Sequence, residues 1–179
     1  MERKFLPVSI ALLTVSDTRV FENDNSGNLL AKKIEQSGHI LFDRKIVKDE
    51  ILDIQKISKK WIKNPNVEVI ISTGGTGLTG RDVSPEAFRP IFDKEIEGFG
   101  ELFRFLSFKK IGTSTIQSRS LAGVSNGTYI FVLPGSPSAC KDAWDEILVH
   151  QLDYRHKPCN FVEIMPRLLE KGGGRSGKG

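Results

Sequence analysis

Hydrophobic positions in this chain fall into short blocks of two kinds, and the kinds alternate. Residues 8–15 form a nearly continuous apolar run that stops at Ser16, Asp17, Thr18 and Arg19, the pattern of a strand buried on both faces. Ser26 and Gly27 then introduce a helical segment with Leu30 and Ile34 one turn apart and Gly38 as its stop. Residues 39–47 alternate in part, as a second strand would, and end at Lys48, Asp49 and Glu50. Ile51, Ile54, Ile57 and Trp61 recur at helical spacing while Lys56, Lys59, Lys60 and Lys63 fall elsewhere, so this segment predicts a helix with one face on a sheet. Asn64, Pro65 and Asn66 end it. The third strand, residues 67–72, is the run richest in β-branched residues and leads straight into Gly74, Gly75, Thr76 and Gly77.

Further on, Ser84 and Pro85 have the look of an N-cap followed by proline in the first helical turn. Phe99, Leu102, Phe103 and Leu106 mark one face of another helix, and Phe105 and Phe108 lie off that face, which fits either a subunit contact or a helix buried on two sides. Residues 128–133 read as the last strand. Pro134, Gly135, Ser136 and Pro137 follow it, with Ser136 capping a helix whose inward residues are Cys140, Ala143, Trp144, Ile147 and Leu148. The order β, α, β, α, β predicts an α/β fold with a mostly parallel sheet, right-handed crossovers and helices on both faces. One domain over residues 1–160 is expected. Residues 161–179 are expected to form a C-terminal extension that ends in a mobile, Gly-rich, basic tail.

Length agrees with one core, since 179 residues are too few for two domains of usual size. A net charge of +4 and a pI near 9.1 invite a nucleic-acid reading, but Lys171, Arg175 and Lys178 supply much of that excess from the last nine positions. The body is close to neutral and has no basic run interleaved with aromatics, so no nucleic-acid partner is expected. Cys140 and Cys159 form neither a disulfide framework nor a CxxC metal pair, which fits a reducing, cytoplasmic setting. Arg3 and Lys4 precede an apolar run of signal-peptide length, yet Ser16, Asp17 and Thr18 follow where a small-x-small cleavage site belongs. No stretch has the length of a membrane span, and no membrane partner is expected.

Four polar or Gly-rich groups follow directly on strands: Ser16 with Asp17, Asp49, residues 74–82, and residues 134–136. In a parallel α/β sheet the carboxyl ends of the strands converge on one crevice, so these groups predict one site. Residues 74–77 can let backbone approach a phosphate and present amides to it. Residues 75–80 satisfy G-x-G-x-x-G, and residues 75–82 nearly match the P-loop. Both readings fail, because Arg81 and Asp82 stand where a lysine and a hydroxyl are needed and no helix opens at the third glycine. Asp49 and Asp82 are the acids singled out, as carboxylates placed to hold a hydrated magnesium against phosphate oxygens. Asp17 serves equally as a turn residue, and Ser118 with Arg119 is a candidate for binding an anionic group. His39, His150 and His156 form no metal or triad pattern.

Taken together, Val15-Ser16-Asp17-Thr18-Arg19, Gly74-Gly75-Thr76-Gly77, Arg81-Asp82-Val83-Ser84-Pro85-Glu86-Ala87, Gly98-Phe99-Gly100-Glu101-Leu102-Phe103-Arg104 and Leu133-Pro134-Gly135 resemble the MoaB/MogA molybdopterin-binding family over residues 8–160. Within it, residues 112–119 and Pro158-Cys159-Asn160 resemble the MoaB branch. The resemblance implies a three-layer α/β/α fold, molybdopterin as substrate, and Mg2+ with ATP as co-substrate, GTP being the alternative. It also implies transfer of AMP to the terminal phosphate of molybdopterin with release of pyrophosphate. On this resemblance Asp49 and Asp82 are the catalytic and metal-binding acids. Gly74, Gly75, Thr76, Gly77, Ser118, Pro134 and Gly135 match ligand-binding positions by similarity, and Ser16, Asp17, Glu101, Arg119 and Ser136 join them as candidate substrate-binding residues. Homotrimers or homohexamers, and other cofactor-assembly proteins as partners, are implied as well. For the MoaB branch, binding of pterin or nucleotide without transfer, or a scaffold role, stands as the alternative.

Overall fold

A computed structural model of the protein describes residues 3–171. Six strands form one sheet: β1 (Ser9–Val15), β2 (Ile40–Val47), β3 (Val69–Thr73), β4 (Lys94–Glu95), β5 (Leu121–Ser125) and β6 (Thr128–Leu133). Their order across the sheet is β2-β1-β3-β6-β5-β4. The first four pair in parallel, β5 is antiparallel to β6, and β4 is antiparallel to β5, so β5 alone runs against the rest. The helices are α1 (Asn25–Gln36), α2 (Ile51–Ile62), α3 (Ser84–Phe88), α4 (Glu97–Ile111) and α5 (Pro137–Ala143). A π-helical turn (Trp144–Leu148) carries α5 into α6 (Val149–Gln151), and α7 (Phe161–Ile164) follows.

Alternation along the strands sorts side chains into two layers. Ile10, Leu12, Val69, Ile71, Phe131 and Leu133 face one core with Leu30 and Ile34 of α1, Phe99 and Phe103 of α4, and Cys140 and Ala143 of α5. Ala11, Leu13, Ile70, Ile130 and Val132 face the other, against Ile54 and Trp61 of α2 and Ala87 and Phe88 of α3. Both faces are covered, which gives the three layers. Each fully buried Ile or Leu contributes about 1.5–3 kcal/mol, so the central strands anchor everything built at their ends.

The sheet is two strands wider than the sequence reading, which ended with the strand now seen as β6 and left out β4 and β5. β5 and β6 form a hairpin closed by Asn126 and Gly127, both at positive φ. Helix α4 also differs in detail. Phe99, Gly100, Phe103 and Ser107 are its buried residues, while Leu102 turns outward with Phe105, Phe108 and Ile111. Past residue 160 the chain stays on the domain: Val162 is buried, and the Phe161 ring packs 4.9 Å from Tyr129 and 5.6 Å from Phe131. The Gly-rich tail expected from Gly172 onward lies outside the described residues.

Candidate functional site

From β1 the chain moves outward to β2 and then crosses back to β3, so a switch point opens at the carboxyl ends of β1 and β3. A cleft of about 310 Å³ lies there, lined by Ser16, Asp24, Asp49, Gly75, Asp82 and Gly135 among others. All four strand-end groups picked from the sequence contribute to it.

The glycine turn is built by close approach. Gly74 has φ +101°, and a Cβ there would lie 2.2 Å from the Val15 carbonyl oxygen. Gly75 has φ +65°, and a Cβ there would lie 2.5 Å from Ser84 Oγ and 3.0 Å from Asp49 Oδ1. Neither position admits a side chain. The Gly74 amide donates to the Leu133 carbonyl at 3.1 Å, while Ser84 closes the turn, its Oγ donating to Gly74 O at 2.7 Å and its amide to Gly75 O at 2.9 Å. Ser84 is thus the first residue of α3, with Val83 in the cap position, and its hydroxyl is turned to the loop instead of the helix. The amides of Gly75 and Thr76 donate to no protein acceptor among the described residues.

The two acids flank this turn. Asp49 has its carboxyl raised above the usual carboxylate range by burial and by the negative charges of Asp17 and Asp82. Asp82 is held below that range, chiefly because Thr79 donates to its Oδ2 from Oγ1 at 2.6 Å and from the amide at 2.9 Å. Two neighbouring carboxylates, both hard oxygen donors, suit Mg2+, which takes few protein ligands and keeps waters and substrate phosphates. Among the described residues no group of three or more His, Cys, Asp and Glu side chains gathers as a metal site, so a cation here depends on substrate oxygens.

Asp17, expected at the site, does not line the cleft and is already engaged. Arg81 donates to both its oxygens at 3.0 Å and to Glu50 at 3.0 Å, and Asp17 Oδ1 accepts the Asp49 amide at 3.2 Å. That bond set lowers the Asp17 pKa and ties the loop bearing Asp82 to the ends of β1 and β2. Pro134 and Gly135 are pinned through their carbonyls: Thr73 Oγ1 donates to Pro134 O at 2.7 Å, and Ser26 Oγ donates to Gly135 O at 2.7 Å. Ser136 accepts the Ala139 amide at 3.3 Å as the cap of α5.

Asp24 escaped the sequence reading. It is 2% exposed, caps α1 through the Gly27 amide at 2.9 Å, and accepts Thr14 Oγ1 and Arg44 Nη2, each at 2.7 Å. Helix α1 starts one residue before the Ser26 expected to open it, and the capping acid lies three residues before Gly27, a spacing from which the cap was readable. Arg19 also lines the cleft.

Glu101, Ser118 and Arg119 do not share this cleft. They line a second one of about 510 Å³ with Arg89, Arg104 and Ser120. Arg119 belongs to its wall more than to its floor. Its Nε donates to Gly77 O and its Nη2 to Asp82 O, both at 2.8 Å, its amide donates to Thr76 O at 3.3 Å, and Nη1 pairs with Glu86. Residues 74–82 therefore separate the two clefts, with Gly75 and Asp82 facing the first and Arg119 fastening the loop from the second.

Residues 11–154 match the family model described as "Probable molybdopterin binding domain". The chain is 51% identical over 158 residues to molybdenum cofactor biosynthesis protein B of Escherichia coli (strain K12), covering 88% of this chain and 93% of that protein. A crystal structure of molybdenum cofactor biosynthesis protein B superposes with a TM-score of 0.81 at 38% identity, covering 84% of this chain and 94% of that one. The tungsten cofactor synthesizing protein MoaB from Pyrococcus furiosus superposes with a TM-score of 0.76 at 30% identity, covering 92% and 98%. No helix among the described residues is long and apolar enough to cross a membrane. With a strand order that opens one crevice, a glycine turn between two acids, and a family match spanning most of its length, the chain belongs to the molybdopterin-binding domain family, on the branch of molybdenum cofactor biosynthesis protein B.

Proposed function

We propose that this protein acts in molybdenum cofactor biosynthesis as a molybdopterin adenylyltransferase, with the nucleotide phosphates in the switch-point cleft and the pterin in the cleft beside it. The observation that carries this reading is the side-chain-free turn at Gly74 and Gly75, set between Asp49 and Asp82 with two amides unclaimed. In the reaction, an oxygen of the molybdopterin phosphate attacks the α-phosphorus of ATP, a new P–O–P linkage forms, the bond to the β-phosphate bridging oxygen breaks, and pyrophosphate leaves. The Gly75 and Thr76 amides would stabilise charge on the phosphoryl oxygens. Asp49 and Asp82 would hold a magnesium ion, whose chemistry is to neutralise the triphosphate and the leaving group. Arg81, with Asp17 and Glu50, fixes where Asp82 stands.

The test is incubation with molybdopterin, Mg2+ and ATP or GTP, followed by chromatography of the pterin. Wild type is expected to yield adenylylated molybdopterin, and Asp49→Asn and Asp82→Asn are each expected to lose at least about 100-fold in rate. Binding of pterin and nucleotide by wild type without turnover would move the assignment to a non-catalytic binding protein of the same pathway. One observation favours that second reading: Asp82 Oδ2 already accepts two bonds from Thr79. Self-association into trimers or hexamers is proposed through α4, whose Phe105 and Phe108 are 58% and 54% exposed. Handover to another assembly protein and a cytoplasmic setting complete the proposal.

A further inference from the structure

The turn that joins β5 to β6 carries a chemically reactive pair. Asn126 is the one non-glycine residue at positive φ among the described residues, +45°, and Gly127 follows at +81°. Asn126 is exposed. Its side-chain amide makes no hydrogen bond among the described residues, and the Gly127 amide donates to none of their acceptors. Leu169, which lies against Gly127, is itself 63% exposed, so water reaches the turn. Because Gly127 has no Cβ, its nitrogen can approach the Asn126 side-chain carbonyl carbon unhindered. The other asparagines differ: Asn23, Asn25, Asn28, Asn66 and Asn160 precede residues with a Cβ, and Asn64 precedes a proline, which has no amide proton to lose.

The same turn clasps the edge of the sheet. Asp93 Oδ2 accepts the Asn126 amide at 2.6 Å, and the Asp93 amide donates to Val124 O at 2.7 Å. From there β4 pairs its Lys94 and Glu95 with Val124 and Gly123, and the Ile96 amide donates to Ala122 O at 2.7 Å. A strand of two exposed residues has few ladder bonds, so the Asp93 clasp is a large part of what holds it. Glu95 and Ile96 also line the second cleft.

We propose that Asn126 is a site of spontaneous deamidation in the native protein, and that the change unfastens β4 from the hairpin. The Gly127 nitrogen loses its proton and attacks Asn126 Cγ. A new N–Cγ bond closes a succinimide ring, the bond from Cγ to the side-chain nitrogen breaks, and that nitrogen takes up a proton and leaves as ammonia. Water then opens the ring at either carbonyl. One opening leaves aspartate, whose carboxylate belongs to the residue that Asp93 holds by its amide. The other leaves isoaspartate, whose main chain runs through the former side chain and is longer by one carbon. A second negative charge near Asp93, or a turn too long for a two-residue hairpin, each works against the clasp.

The experiment ages the wild-type protein in mildly alkaline buffer and follows tryptic peptide 120–141, in which Asn126 is the one asparagine, by mass and by isoaspartate content. The peptide from native protein is expected to deamidate at least about tenfold faster than any other asparagine-bearing peptide, and at no less than about one-tenth the rate of the free synthetic peptide 120–141. Asn126→Gly, which keeps the positive φ without strain and has no side-chain amide, is the control that cannot age at this position. Aged wild type is expected to melt about 2–4 °C lower than fresh protein, with amide exchange of residues 93–96 faster by at least about tenfold, while Asn126→Gly shows neither change on ageing. A native protein whose peptide 120–141 stays unmodified while the free peptide reacts would overturn the site. Modified wild type that melts and exchanges like fresh protein, or an equal loss in aged Asn126→Gly, would overturn the effect on β4.

Discussion

Replacing Gly74 with alanine tests whether the turn at the switch point is held by sterics or only by sequence habit. At φ +101° an L-residue pays the left-handed penalty of about 1–2 kcal/mol. The added methyl would also stand 2.2 Å from the carbonyl oxygen of Val15, where ordinary contact needs roughly 1 Å more. That oxygen cannot retreat freely: Val15 is paired with Val47, and the next amide, on Ser16, donates to Val47 O at 2.8 Å. Forcing backbone apart in a packed interior costs about 1–3 kcal/mol, so the total loss is about 2–5 kcal/mol, a large share of the ~5–15 kcal/mol available to a domain. In a urea titration, with a slope of about 2 kcal/mol per molar, the midpoint should fall by roughly 1–2.5 M. Gly80→Ala is the control, because nothing lies within 4 Å of a Cβ there, and it should stay within about 0.5 kcal/mol of wild type. A Gly74→Ala protein within about 1 kcal/mol of wild type, or a Gly80→Ala protein equally weakened, would refute the steric account.

Three further outcomes are expected. Asp24→Ala strips a buried partner from Arg44 and the cap from α1, and should cost about 3–5 kcal/mol by denaturant titration. Asp49→Asn should raise the melting temperature at pH 7 while transfer activity is lost. The Asp49 pKa is raised in the fold, so the unfolded chain gives up its proton first as pH climbs past 3.8, and stability falls through that window; the gap between variant and wild type should therefore close near pH 3. His39 is buried, its Nδ1 accepts the Val8 amide at 3.2 Å, and burial lowers its pKa. Below the usual value of 6.5 the unfolded state takes up a proton that the native state refuses, so stability should drop as pH falls from 6.5. His39→Asn, which keeps an acceptor but does not titrate, should flatten that slope in melts recorded between pH 7 and 5.

Parallel strands buried on both faces write themselves into the sequence as apolar runs, and the polar residues that stop each run mark the ligand edge. For this reason Ser16, Asp49, Gly75 and Gly135 are legible in the sequence as one crevice. β5 was not, because Leu121, Ala122, Gly123, Val124 and Ser125 carry weak β preference, and Gly123 exists to admit the Phe92 ring, 2.4 Å from where its Cβ would be. The Asn126-Gly127 turn was the missed signal, being the dipeptide that a two-residue hairpin asks for. β4, two exposed charged residues, has no pattern to read; it is a short edge of the kind that discourages pairing with another sheet. Separation of the ligand positions into two clefts was also invisible, since it follows from Arg119 reaching back over 40 residues of chain to bind Gly77 O, a contact that neither residue announces.

Arg119 and Ser84 together explain why the turn between the clefts suits an anion. Five of its carbonyls are taken by donors from these two residues: Gly74 O and Gly75 O by Ser84, and Thr76 O, Gly77 O and Asp82 O by Arg119. Within residues 74–77 all four carbonyls are occupied while the Gly75 and Thr76 amides have no protein acceptor among the described residues, so the groups the glycine turn itself has to offer are donors. Backbone donors held this way need no rearrangement when charge arrives, which is the condition for stabilising a phosphoryl group in flight. The same logic assigns the cost of losing Arg119. Without its side chain two carbonyls, Gly77 O and Asp82 O, are released to compete for the space, while Thr76 O keeps the backbone amide of residue 119, and the proposed nucleotide site should weaken even though the arginine itself lines the neighbouring cleft.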